Sequence, residues 1–169
     1  MSNNLPDFMF ATGTRVMRTA GSLRQVTLED ARAAAESAGT AVVGLIPFDP
    51  NTPAHLFVPE RLQIDDIPVP EHEVTLAEPT QIEGRENPGY RQAVATAVER
   101  MKAHQLDKVV LSRLLRADYA PGALNLAGVY NNLRAQQSNT FVFSVKLPQD
   151  HRGLEHPYLM GASPELIFS

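Results

Sequence analysis

Residues 106–116 read Leu-Asp-Lys-Val-Val-Leu-Ser-Arg-Leu-Leu-Arg, and how this run is read decides the fold. Taken as a strand, it sets Lys108, Val110, Ser112 and Leu114 on one face and Val109, Leu111 and Arg113 on the other. Helical spacing lies on both sides of it. Upstream, Asn87 can cap a helix whose first position is Pro88, and Tyr90, Val94, Ala97 or Val98, and Met101 mark an apolar face through about His104. Downstream, Asn125 can cap a second helix with Leu126, Val129 or Tyr130, and Leu133 turned inward. Residues 140–147 then alternate, with Phe141, Phe143, Val145 and Leu147 on one face, and a last strand runs from about Tyr158 towards Phe168. Helix, strand, helix, strand, strand is a mixed α and β arrangement, not a bundle.

Towards the N-terminus the signals are β-rich. Phe8, Met9 and Phe10, then Gly13 as a turn, then Val16 and Met17 predict a strand-rich opening over 8–19. Thr27 and Asp30 start a helix as a weak capping box, Leu28, Ala31, Ala34 or Ala35, and Ala38 supply its stripe, and Gly39 ends it. Residues 41–48 read as a strand buried on both faces, followed by a turn at 49–53. Short strands are expected at 55–58 and near 73–77, amid Pro59, Pro68, Pro70, Pro79 and Pro88. The domain boundary falls near residue 84, giving an N-terminal α/β lobe over 1–84 and a second domain over 85–169. The chain reaches Ser169 inside what reads as a strand, so it is expected to be the N-terminal part of something longer.

Composition narrows the classes of function. The 169 residues are 43% hydrophobic and 20% charged, as in a folded soluble domain. A net charge of −4 supplies no basic field for nucleic acid or an anionic membrane. The chain has no cysteine, which removes disulfides, thiolate metal sites and a cysteine nucleophile. No apolar run nears the roughly 20 residues of a membrane span, and the N-terminus lacks the features of a signal peptide. The expectation is a cytoplasmic protein.

Two constellations carry chemistry. Lys108 and Ser112 put an ammonium and a hydroxyl on one strand face, although a lysine solvating the start of a strand is the plainer alternative. Gly161-Ala162-Ser163-Pro164-Glu165-Leu166 permits close backbone approach just before an acid, against the alternative of a bend followed by a surface carboxylate. His151 and His156 share a zinc-like spacing but have no third ligand beside them.

Together these segments resemble the chorismate-utilising enzymes, and among them the isochorismate synthases of siderophore pathways. The resemblance rests on Val43-Gly44-Leu45-Ile46-Pro47-Phe48-Asp49-Pro50, Leu56-Phe57-Val58-Pro59-Glu60, Leu106 to Arg113 and Gly161 to Leu166, in that order. It implies the N-terminal part of the family's anthranilate-synthase-like α/β sandwich, with incomplete sheets. It implies a Mg²⁺-dependent isomerase that adds water at C2 of chorismate and expels the C4 hydroxyl, giving isochorismate. Lys108 is then the general base and Glu165 the general acid, while Gly161, Ala162 and Ser163 bind substrate. Lysine at 108 departs from the ammonia-using members, which usually carry glutamine there. An unperturbed lysine has a pKa of ~10.4 and a glutamate ~4.3, so both roles need displaced values. By the same resemblance the Mg²⁺ ligands lie beyond Ser169, so no metal ligand is expected in this chain and it is expected to be inactive alone. Its partners are chorismate and either the C-terminal half or a second copy joined through exposed strand edges. Menaquinone-type isochorismate synthase, salicylate synthase and a non-catalytic binding or assembly module stay open as alternatives.

Overall fold

A computed structural model describes residues 5–148 and 157–163. It separates into two compact units, residues 1–75 with 126–169, and residues 76–125. Residue 84, the expected boundary, lies inside the second unit.

The first unit is built on strands β1 (Phe8–Thr12), β2 (Arg15–Val26), β3 (Val43–Leu45), β4 (His55–Asp66), β7 (Phe141–Lys146) and β8 (Tyr158–Ser163), with helices α1 (Ala31–Ala38) and α3 (Leu126–Gln136). The strands form one antiparallel sheet in the order β3-β4-β2-β1-β7-β8. Gly13, at φ 56°, makes the tight β1–β2 turn that the sequence signals. The sheet curls on itself. His55 Nε2 on β4 lies 3.2 Å from the Lys146 carbonyl on β7, although β2 and β1 stand between those strands in sheet order.

A bulge divides β2. Ala20 pairs with Arg61 but Leu23 pairs with Pro59, so β2 uses three steps where β4 uses two. Gly21 takes φ 81° there, and the Ser22 N–H and hydroxyl donate to Glu60 Oε2 at 3.0 and 3.3 Å. Those hydrogen bonds hold the Glu60 carboxyl below its ordinary pKa. Pro59 brings no N–H, and it is tolerated inside β4 because it sits beside the bulge. The extra residue reverses the in–out phase of β2. Val16 therefore joins a core with Ala11, Tyr130 and Val142, while Val26 joins a second with Ala34, Leu56 and Val58. Helix α3 supplies the first cluster and α1 the second.

Arg134 locks α3 in place. It is 5% exposed, and its Nη2 donates to the carbonyls of Gly13, Ile67 and Pro68 at 3.2, 2.8 and 3.4 Å. One guanidinium thus ties the helix to the β1–β2 turn and to the segment leaving β4.

The second unit contains β5 (Gln81–Glu83), α2 (Pro88–Lys102) and β6 (Arg116–Asp118), with β5 and β6 paired. Asn87 Oδ1 accepts from the Tyr90 N–H at 2.9 Å and Pro88 opens α2, as expected from sequence. None of residues 76–125 is buried.

Several expectations are corrected. The run 106–116 is a strand only from Arg116; residues 106–115 have no ladder partner among the described residues. Residues 41–48 give the short edge strand β3, and Ile46 and Phe48 are exposed, because Pro47 ends the pairing. Helix α1 starts at Ala31; Thr27 and Asp30 bond each other in the turn before it, and Leu28 stays exposed. The strand near 73–77 is absent. There the Asn132 side chain on α3 takes the partner's place, accepting from Val74 N–H and donating to Val74 O, both at 2.8 Å. Strand β4 continues to Asp66 rather than stopping at 58. On β7 the deeper face is Val142 and Ser144, not the phenylalanine face; Phe10 and Phe141 stack at 5.5 Å on the shallower side.

Candidate functional site

The residues expected to act on chorismate fall in both units. Gly161, Ala162 and Ser163 end β8, opposite Phe143, Val142 and Phe141 of β7. Glycine at 161 has a local reason: a Cβ there would stand 2.8 Å from Phe143 Cζ, so the phenyl ring occupies the space a side chain would need. Ala162 packs on the Tyr130–Val142 core. The crowding by Phe143 accounts for glycine at 161 without any ligand. Glu165 lies outside the described residues, as do His151 and His156.

Lys108 belongs to the second unit, is exposed, and lies in extended chain between α2 and β6. Around it Val110 and Leu114 are 81% and 85% exposed, so this β-prone run shows water the side chains that a sheet would cover. Arg113 is placed by its neighbour: its guanidinium carbon lies 5.6 Å from the Tyr90 ring centroid, a cation–π contact that ties the run to the start of α2. Gly84, at φ 84°, leaves no room for a Cβ beside the Leu114 carbonyl, which fixes the other side of the same run.

Mg²⁺ finds no fit here. Among the described residues no group of three or more His, Asp or Glu could hold a metal ion. Among the same residues, no helix is long and apolar enough to cross a membrane.

Sequence reasoning missed Arg134, because a helical arginine looks like a solvated one until the carbonyls it meets, 66 to 121 positions away, are known. No local spacing signals His55 either; the curled sheet brings it against Lys146 and, through that residue, near Asp7.

Comparison with known proteins decides the family. The sequence profile described as Chorismate binding enzyme matches residues 21–169. The chain belongs to that family. This chorismate-binding family member is 32% identical to isochorismate synthase EntC of Escherichia coli K12 over 133 residues, which are 75% of this chain and 32% of EntC. Isochorismate synthase DhbC of Bacillus subtilis is 28% identical over 166 residues, 94% of this chain and 40% of that protein. A crystal structure from Bacillus anthracis, assigned as the 2,3-dihydroxybenzoate-specific isochorismate synthase DhbC, matches with a TM-score of 0.64 and 26% identity. It covers 95% of this chain and 44% of that one, which supports the mixed α/β fold. The chain thus spans roughly a third to two-fifths of the length of these curated relatives.

Proposed function

We propose that this chain contributes part of the catalytic site of a siderophore-pathway isochorismate synthase, with Lys108 as general base and Glu165 as general acid. The observation that carries the reading is the family match over residues 21–169, which spans both the Lys-Val-Val-Leu-Ser-Arg and Gly-Ala-Ser-Pro-Glu-Leu segments. The names of the curated relatives add the siderophore branch, including a vibriobactin-specific isochorismate synthase from Vibrio cholerae that is 28% identical over 127 residues.

In the proposed reaction, neutral Lys108 takes a proton from water as the water oxygen bonds to C2 of chorismate. The ring double bonds shift, the C4–O bond breaks, and Glu165 gives its proton to the departing oxygen, which leaves as water. One water enters and one leaves, so the product is an isomer. Gly161, Ala162 and Ser163 let the substrate approach the backbone closely. Substrate also has to be held by positive charge, because it brings two carboxylates to a chain of net charge −4.

A neutral lysine base needs a covered environment, and Lys108 is exposed with a bare apolar run around it. The reading therefore includes a further condition: the 169-residue chain is inactive until that run is covered. Chorismate conversion with Mg²⁺ tests both parts. The chain alone is expected to give no isochorismate, whereas the complete protein gives it and loses on the order of 10²–10⁴-fold in kcat on Lys108→Ala. Lysine-dependent turnover by the 169-residue chain overturns the requirement for cover. Full activity of the complete Lys108→Ala protein overturns the role of Lys108.

A further inference from the structure

A cavity of about 290 Å³ opens in the first unit, lined by Asp7, Leu23, His55, Phe57, Lys146 and Leu147. It lies at the end of β1 away from the Gly13 turn, where the curl of the sheet brings β4 up to β7. None of its residues belongs to the segments proposed for chorismate turnover.

The polar groups are fixed by their contacts. A carbonyl oxygen only accepts, so the 3.2 Å contact from His55 Nε2 to the Lys146 carbonyl assigns the proton of the neutral imidazole to Nε2. Nδ1 is left with a lone pair, and no hydrogen bond to it is found among the described residues. Phe57 packs edge-on against the His55 ring at 4.4 Å between centroids and holds its plane. Lys146 Nζ donates to Asp7 Oδ1 at 2.9 Å, and the Lys146 N–H donates to the Asp7 carbonyl at 2.8 Å. That pairing raises the Lys146 pKa, so its charge is secure. An ammonium has three N–H groups, and Asp7 takes one. The segment bearing Asp7 is itself anchored, since Tyr158 Oη donates to the Leu5 carbonyl at 3.0 Å and Leu5 is buried.

The cavity thus offers one cationic donor, one neutral acceptor and an apolar wall of Leu23, Phe57 and Leu147. Its volume sits at the lower limit for ligand pockets, which selects a small molecule. A phosphate dianion is disfavoured by the Asp7 carboxylate beside the single cation. A metal ion has too few donors there, since no three-membered ligand group exists among the described residues. We propose that this cavity binds a small ring-bearing hydroxycarboxylate. Its carboxylate accepts from Lys146 Nζ, its hydroxyl donates to His55 Nδ1, and its ring lies on Leu23, Phe57 and Leu147.

The probe is 3-hydroxybenzoate, titrated into the ¹⁵N-labelled chain and followed by amide shifts. Saturable shifts centred on His55, Phe57, Lys146 and Leu147 are expected, with benzoate about fivefold weaker for want of the hydroxyl. His55→Phe should remove that preference, and Lys146→Met should abolish binding. Lys146→Arg keeps the ion pair with Asp7 and should retain binding, which covers the case in which the methionine variant fails to fold. Lys108→Ala should change nothing; loss of binding there would mean the probe occupies the proposed turnover site and would overturn a separate cavity. The proposal also fails if no saturable shift appears up to about 10 mM, if benzoate binds equally well, if Lys146→Arg does not bind, or if binding survives in a folded Lys146→Met protein.

Discussion

Helices α2 and α3 make an instructive pair. The longer, α2, has a proline start, an Asn87 cap bond and two basic residues in its last turn, yet it buries no residue. Helix α3 is shorter and buries Tyr130 and Arg134 against a sheet. Local signals thus favour the helix that tertiary packing has neglected. The contrast extends to their units: the first has two apolar clusters, while the second, residues 76–125, has no buried residue at all. Caps decide where a helix begins, but most helical stability in proteins comes from packing an apolar face.

Hydrogen exchange offers the strongest challenge to this contrast. Amides of β1, β2 and β7 should exchange about 10³-fold or more slowly than those of α2, β5 and β6. Equal protection would mean that the second unit has found a core that its exposed side chains do not reveal. Substitution comes next. Arg134→Met leaves the carbonyls of Gly13, Ile67 and Pro68 without their donor and should cost about 3 kcal/mol in chemical denaturation. The equally drastic Leu114→Ser, at a side chain 85% exposed, should stay within about 0.5 kcal/mol. A large loss at Leu114 would erase the distinction.

The third test is subtler and concerns pH. Burial pushes the Tyr130 phenol up to about 12 from 10. The unfolded chain then loses this proton first as pH rises, so the unfolded state binds fewer protons between those values and stability falls. The contribution is fully present below pH 10 and disappears towards pH 12, a loss of roughly 2–3 kcal/mol. Tyr130→Phe should flatten that alkaline limb. At neutral pH it should cost little, since the buried hydroxyl has no hydrogen-bond partner among the described residues. An unchanged alkaline limb would place the titrating group elsewhere.

Much of the first unit was legible in the chain: the turn at Gly13, the strand over 141–146 and the α3 stripe are local patterns and appear where expected, although β7 turns Val142 and Ser144 to the deeper side. The proline start of α2 was legible for the same reason. What escaped reading depends on distant partners. Residues 106–115 hold an apolar run around Val109 and Val110 that reads as a strand, but β-propensity describes a fit to neighbouring strands, and this run has none among the described residues. Residues 73–77 lose their expected strand because Asn132, 58 positions from Val74, supplies the hydrogen bonds. Of the candidate site, Gly161 to Ser163 were placed on a strand and lie on one, while Lys108 was placed on a strand and does not. The difference is the same: β8 has β7 beside it.

The bulge at Gly21 and Ser22 has a consequence for how this sheet tolerates change in length. By shifting the count by one, it lets a single strand serve two cores whose demands are out of step. Removing either residue would bring β2 to the same count as β4 between Ala20 and Leu23 and heal the bulge, leaving Val16 and Val26 on opposite faces as now. Removing two residues would leave β2 one step short of β4 and turn one half of the strand inside out, exchanging Val26 for its polar neighbour Gln25 against α1. Deletions in this strand should therefore be tolerated by parity rather than by size.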